Sequence, residues 1–186
     1  MPALHVSLVA VVSAVVLSAC GAGPATIAVD QAVEGALRPK GPVVTGARVD
    51  RIVDGDTIHV TIDGQDVTVR MIGMNTPETV KPGSPVECFG PESSAFAASA
   101  LSGRTVTLEF DASQGRTDQY GRTLAYVWIE RPNARPRMFN LAAISSGHAF
   151  ERQYGPKGYA WRPEFRAAAK AAREADRGLW GACPVS

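Results

Sequence analysis

At 186 residues, with 19 basic against 18 acidic side chains and a net charge of +1, the chain has the length of one domain and no global excess of positive charge. It is therefore not a polycation that binds polyanions along its whole surface, and any anion site must come from local clustering. Three cysteines and three histidines, with no Cys-x-x-Cys pair, leave little for a zinc site or a Ser-His-Asp arrangement.

In chain order, residues 1–19 contain no Lys, Arg, Asp or Glu, and Val6 to Leu17 is a largely apolar run. The run is too short to span a bilayer and reads as a secretory signal peptide. Its ending, "LSAC" before Gly21, resembles a bacterial lipobox with Cys20 as the lipidated residue; the other reading is an ordinary signal peptide with an incidental cysteine. Residues 20–43 are rich in Ala, Gly, Pro and Val without a clear period and read as a tether. An exported protein of this kind, lipid-anchored at the outer face of the cell membrane or secreted, sits where disulfides persist. The distant pair Cys88 and Cys183 then reads as a disulfide, with two buried free thiols as the other reading.

The folded domain is expected over 44–186. Two Asp-Gly pairs, Asp54-Gly55 and Asp63-Gly64, flanked by alternating β-branched residues, predict three antiparallel strands at about 45–53, 56–62 and 66–72. The stretch "VKPGSPVECFG" reads as a surface loop. "GPESSAFAASALSG" predicts a helix, with Pro91 at its first position and Gly103 beyond its end. Two further strands follow at 104–110 and 122–129. A short helix then ends at Gly147, and an alanine-rich helix ends near Gly178 with Phe165, Ala168, Ala169 and Ala172 as a narrow apolar stripe. Five strands interleaved with three helices favour an α+β fold built on a small closed barrel of the oligonucleotide/oligosaccharide-binding (OB) type over a sandwich.

Polar residues gather where apolar strands end. Asp56 opens the second strand, Arg70 interrupts the apolar third, Asn75, Thr76 and Glu78 follow it, and Arg122 opens the fifth. Singly, each charge reads as half of a structural ion pair. Together they fit phosphodiester hydrolysis. Two guanidiniums clamp charge that builds on phosphoryl oxygens. Oxygen ligands from Asp56, the Asn75 amide and a carbonyl near Thr76 suit a hard cation. Glu78 is then the carboxylate that orients or deprotonates water.

Five stretches in order, "DGDTI" at 54–58 with the lone Arg70, "NTPE" at 75–78, "FGPESSAF" at 89–96, "RTDQYGRTLAYVW" at 116–128 and "RGLW" at 177–180, resemble the staphylococcal nuclease family. The resemblance implies a five-stranded OB-fold barrel with three helices. It also implies calcium-dependent hydrolysis of DNA and RNA, with low sequence specificity and 3′-phosphate ends. It carries phosphate binding to Arg70 and Arg122, the role of general base or water-orienting carboxylate to Glu78, and calcium ligation to Asp56, position 75 and the Thr76 carbonyl. Position 75 departs from the family, whose best-known members carry aspartate there; the amide keeps an oxygen ligand and loses a charge. Tyr120 and Tyr154 are candidates for contact with a nucleotide. From Arg152 to Arg173 there are six basic residues and one acid, Glu164, a possible track for a nucleic-acid backbone. The chain is expected to act as a monomer on nucleic acid, and to meet the membrane only through its lipid anchor. The alternative is a lipoprotein whose OB barrel binds nucleic acid without cleaving it.

Overall fold

A computed structural model describes residues 37–79, 83 and 85–184. Cys20, the signal peptide and most of the tether lie outside these residues. Three strands open the fold: β1 (Val43–Asp54), β2 (Thr57–Ile62) and β3 (Gln65–Met71), paired antiparallel in sequence order. The β2–β3 turn is carried by Asp63 (φ 49°) and Gly64 (φ 78°). Both lie in the left-handed region, as the short hairpin turns that match strand twist require. The β1–β2 turn uses its glycine differently. A Cβ on Gly55 would lie 2.6 Å from Thr76 Cγ2, so glycine is there to let the segment after β3 approach.

β4 (Met74–Asn75), β5 (Thr105–Glu109), β6 (Thr123–Arg131), β7 (Ala134–Met138) and β8 (Phe150–Glu151) complete the strands. The main sheet runs β3-β2-β1-β5-β6-β7, and β3 also pairs with β6 in parallel, with Arg70 opposite Leu124. That pairing closes five strands into a mixed barrel, the OB-type closure expected from sequence. β7, which the sequence pattern did not predict, hangs on β6 as a hairpin turned at Asn133 (φ 58°). It carries Pro136, which an edge strand tolerates because no ladder donor is lost there. β4 and β8 form a separate two-stranded ladder.

The helices are α1 (Gly90–Leu101), α2 (Phe139–Ser145), α3 (Arg162–Glu174) and a single turn, α4 (Leu179–Ala182). α1 buries Ala97 and Leu101, one helical turn apart. α3 buries Phe165 and Ala172, with Ala168 and Ala169 packed beside them. These are the positions that a 3.6-residue period puts on one face. The core is filled by large rings, Tyr126, Trp128, Phe139, Trp161 and Phe165 among them.

Two buried polar side chains organise this core. Glu109 accepts the indole N–H of Trp128 (2.8 Å) and of Trp161 (3.1 Å), and the backbone N–H of Lys40 (2.6 Å) and Gly41 (2.9 Å). With Leu37 also packed on the core, ordered contacts reach back beyond the boundary expected at residue 44. Fully buried Asn140 accepts the Val127 N–H (2.8 Å) and donates to the Ile72 carbonyl (3.0 Å), tying β6 to the end of β3. Cys88 and Cys183 are joined by a disulfide with Cα atoms 6.0 Å apart, linking the loop before α1 to the residue after α4.

Two stability outcomes follow. Asn140→Leu strands one buried donor and one buried acceptor, each worth about 1–3 kcal/mol. Urea unfolding should show a loss of about 2–5 kcal/mol, and a loss under about 0.5 kcal/mol would mean that these bonds do not hold the closure. Replacing Cys88 and Cys183 together by Ser frees a 95-residue separation in the unfolded chain and should cost about 2–5 kcal/mol. Reductant should shift the wild-type midpoint in the same direction and leave the double variant unmoved.

Candidate active site

Arg70 stands at the end of β3 and Arg122 at the entry to β6, the two strands whose parallel pairing closes the barrel. Closure therefore brings both guanidiniums to one cleft of about 530 Å³, which Tyr120, Tyr154 and Arg152 also line. Neither arginine is loose. Arg122 donates through Nε to Asp118 Oδ2 at 2.7 Å, and its Nη2 lies 2.7 Å from the same oxygen. Asp118 Oδ1 accepts the backbone N–H of Tyr120 (2.9 Å) and Arg122 (3.0 Å). Burial alone would raise the Asp118 carboxyl, but these N–H groups and the guanidinium hold it below the ordinary carboxylate range.

Arg70 is the more buried of the pair, and its Nη1 forms an ion pair with Asp56 Oδ1. Its Nη2 donates to Asn75 Oδ1 (3.0 Å) and to the Tyr154 hydroxyl (2.9 Å). Burial pushes the Arg70 guanidinium below its usual range, and nearby Arg122 adds to the effect. Asp56 is held in place by its neighbours. Its Oδ1 accepts the Thr57 hydroxyl (2.9 Å), its Oδ2 accepts the Thr76 N–H (2.9 Å), and its own N–H donates to Asp54 Oδ1 (3.1 Å). Of the residues singled out as oxygen ligands, Asp56 and Asn75 both contact Arg70, and Thr76 joins them through its backbone N–H on Asp56. In this structure the guanidinium is the cation that the Asp56 and Asn75 oxygens hold.

Glu78 lies close enough to Asp54 to act on its charge: burial pushes the Asp54 carboxyl above the ordinary range, Arg70 and the Thr57 hydroxyl oppose that shift, and the Glu78 charge adds to it. The Glu78 backbone is fixed at two points on Glu87: its N–H donates to Glu87 Oε2 (2.9 Å), and its carbonyl accepts the Glu87 N–H (2.9 Å). The disulfide at Cys88 follows immediately.

Tyr154 does more than face the cleft: its hydroxyl donates to Asn75 Oδ1 at 2.6 Å. Tyr120 is 74% exposed, with the Arg122 guanidinium 5.3 Å from its ring centroid. Three residues of this region were not singled out from sequence. Asp54 reads there only as a turn former. Asp118 lies inside a quoted motif, and its spacing of four from Arg122 is the signal that marks it as that residue's partner. Arg152 is hidden in a basic run. Among the described residues, no group of three or more His, Cys, Asp or Glu side chains is arranged to hold a metal. An amide oxygen and a backbone carbonyl fall outside those types.

Comparison with known proteins agrees with this architecture. The family model described as "Staphylococcal nuclease homologue" matches residues 68–182, which include Arg70, Asn75, Glu78 and Arg122. A thermonuclease of Staphylococcus hyicus is 41% identical over 133 residues, covering 72% of this chain and 74% of that protein. A thermonuclease of Staphylococcus intermedius is 41% identical over 132 residues, covering 71% and 74%. An endonuclease of Bacillus subtilis, YncB, is 35% identical over 103 residues, covering 55% and 48%. Both the extent of these matches and the barrel that sets Arg70 beside Arg122 lead to one assignment: the chain belongs to the staphylococcal nuclease family.

Proposed function

We propose that this chain, a nuclease by family, hydrolyses phosphodiester bonds of DNA and RNA with low sequence specificity, requires calcium and leaves 3′-phosphate ends. The observation that carries the reading is the placement of Arg70 and Arg122 on the barrel-closing strands, facing one cleft. A phosphodiester entering it meets two guanidiniums from opposite strands. Each presents planar donors that suit phosphoryl oxygens, and the attraction grows as charge builds towards the pentacovalent transition state. Glu78, anchored through its backbone to Glu87, orients the attacking water and takes its proton on a carboxylate oxygen. Cleavage on the 5′-oxygen side leaves phosphate on the 3′ carbon.

The donor chemistry fits calcium. Asp56 and the Asn75 amide supply oxygen ligands with the Thr76 carbonyl, a set of hard oxygen donors of the kind calcium takes. Calcium, when bound, supplies positive charge next to the scissile phosphate. Arg70 contacts the same oxygens, through its ion pair with Asp56 and its hydrogen bond to Asn75.

We also propose that the enzyme works outside the cytoplasm, carried there by the N-terminal signal and anchored through lipid on Cys20. The Cys88–Cys183 bond supports an oxidising compartment. Cys20→Ser should move the protein out of the membrane fraction or stop its processing, and unchanged fractionation with an unlipidated terminus would refute the anchor.

A calcium titration of nuclease rate tests the chemistry. Asn75→Asp adds a ligand charge and should lower the calcium midpoint by an amount equivalent to about 1–3 kcal/mol. Asn75→Ala should raise the midpoint. Glu78→Gln should cut turnover by about 10²–10⁴-fold with little change in midpoint, because its work is on the water. A midpoint that Asn75→Asp leaves unmoved or raises would remove residue 75 from the ligand set.

A further inference from the structure

The charge balance of the cleft is uneven in a way that points to one residue. Arg70 is paired with Asp56, and Arg122 with Asp118. Arg152 lines the same cleft, yet among the described residues no carboxylate pairs with it. Its guanidinium rests 5.9 Å from the centroid of the Tyr154 ring, which holds a cation in place without neutralising it. The adjacent acid, Glu151, is engaged elsewhere: it accepts the Tyr159 hydroxyl at 2.7 Å and lies 4.0 Å from Arg162 Nε.

Nor is Arg152 adventitiously placed. Its backbone N–H donates to the Gly73 carbonyl (3.0 Å), continuing the β4–β8 ladder in which Asn75 pairs with Phe150. The residue is therefore carried on the strand that abuts the catalytic segment. The Tyr154 ring also has the Arg70 guanidinium 5.5 Å from its centroid, so one ring is flanked by two cations, one neutralised and one not.

We propose that Arg152 forms a second phosphate subsite, which holds a non-scissile phosphate next to the one clamped by Arg70 and Arg122. This rests on the phosphodiesterase reading above and extends it. A single-stranded polyanion approaching the cleft meets its net positive charge at Arg152, because the other two arginines are already balanced. Arg152 is a positioning residue: it sets how well a strand with several phosphates is held, not how fast a bound bond is cleaved. A substrate with only one phosphodiester gains nothing from it.

The test compares wild type, Arg152→Gln and Arg152→Lys on a 12-nucleotide single-stranded DNA and on a thymidine p-nitrophenyl phosphodiester, which has one phosphodiester bond. Arg152→Gln should raise KM for the oligonucleotide about tenfold, as for loss of one charge-assisted contact. Its kcat on the oligonucleotide and both constants on the small substrate should stay within about twofold. In calcium-free buffer, fluorescence anisotropy with the same oligonucleotide should show a salt slope shallower by about 0.7, one phosphate contact on a single strand. Arg152→Lys, which keeps the charge, should restore most of that slope. An unchanged oligonucleotide KM and slope would overturn the subsite. So would a kcat on the small substrate that falls in parallel, since that would put Arg152 on the scissile phosphate. If wild type binds the oligonucleotide but cleaves neither substrate, the catalytic reading fails by itself, and the salt slopes still decide the role of Arg152.

Discussion

The site depends on the parallel contact between β3 and β6. Without it β3 and β6 are separated by β2, β1 and β5 in an open sheet, and Arg70 and Arg122 lie far apart. The contact is short, running from Val69 opposite Thr123 to Met71 opposite Ala125. It is extended by the Ile72 N–H, which donates to the Ala125 carbonyl (3.0 Å), and by buried Asn140, which bridges Val127 and Ile72. A parallel seam this brief contributes few backbone bonds, so a side-chain bridge from α2 carries a large share of the closure. The first turn of α2 thus serves the active site from the far side of the barrel wall, by fixing the strand that presents Arg70.

The same region shows how charge is kept in a half-buried cleft. A guanidinium withdrawn from water is costly unless it is compensated. Here Asp56 compensates Arg70 and Asp118 compensates Arg122, so each of the two cations proposed to bind phosphate has its own carboxylate partner. The two carboxylates are themselves supported by backbone donors, Thr76 for Asp56 and Tyr120 with Arg122 for Asp118. These bonds preorganise the donors. They also mean that a phosphate must compete with a carboxylate already in place, which lowers its net gain. Arg122 can keep Asp118 and still turn donors to the cleft, since only its Nε and one terminal nitrogen are engaged. Arg70 has less freedom, being bound at Asp56, Asn75 and Tyr154 together.

Much of this was legible in the sequence, and the reasons differ by element. The β2–β3 hairpin was readable because Asp-Gly is the residue pair that a tight turn with two positive φ values requires. The β1–β2 turn was found through the same dipeptide for a different reason, the close approach of Thr76 to Gly55. α3 was readable from its spacing of Phe165, Ala168, Ala169 and Ala172. β7 was not, because its proline and two arginines lack an alternating apolar pattern and an edge strand needs none. In the site, the charged residues that break apolar strands stood out, as Arg70 and Asp56 did. Those that sit in turns or basic runs did not. Asp54, Asp118 and Arg152 acquire meaning only from neighbours brought to them by β6 and β8.

Asn75 links these observations. Its amide oxygen accepts from both Arg70 and Tyr154, whereas a carboxylate at that place would bind Arg70 through full charge and hold it more firmly. On the proposed reading, a neutral residue weakens the calcium site and, by the same step, makes the Asn75–Arg70 contact a neutral hydrogen bond and not a second ion pair. The Tyr154 hydroxyl has a place in this balance: it donates to the same amide oxygen, so the oxygen has two donors and loss of either one does not strand it. With asparagine where an aspartate could stand, the proposed calcium site gives up one ligand charge, and Arg70 keeps a single carboxylate partner, Asp56.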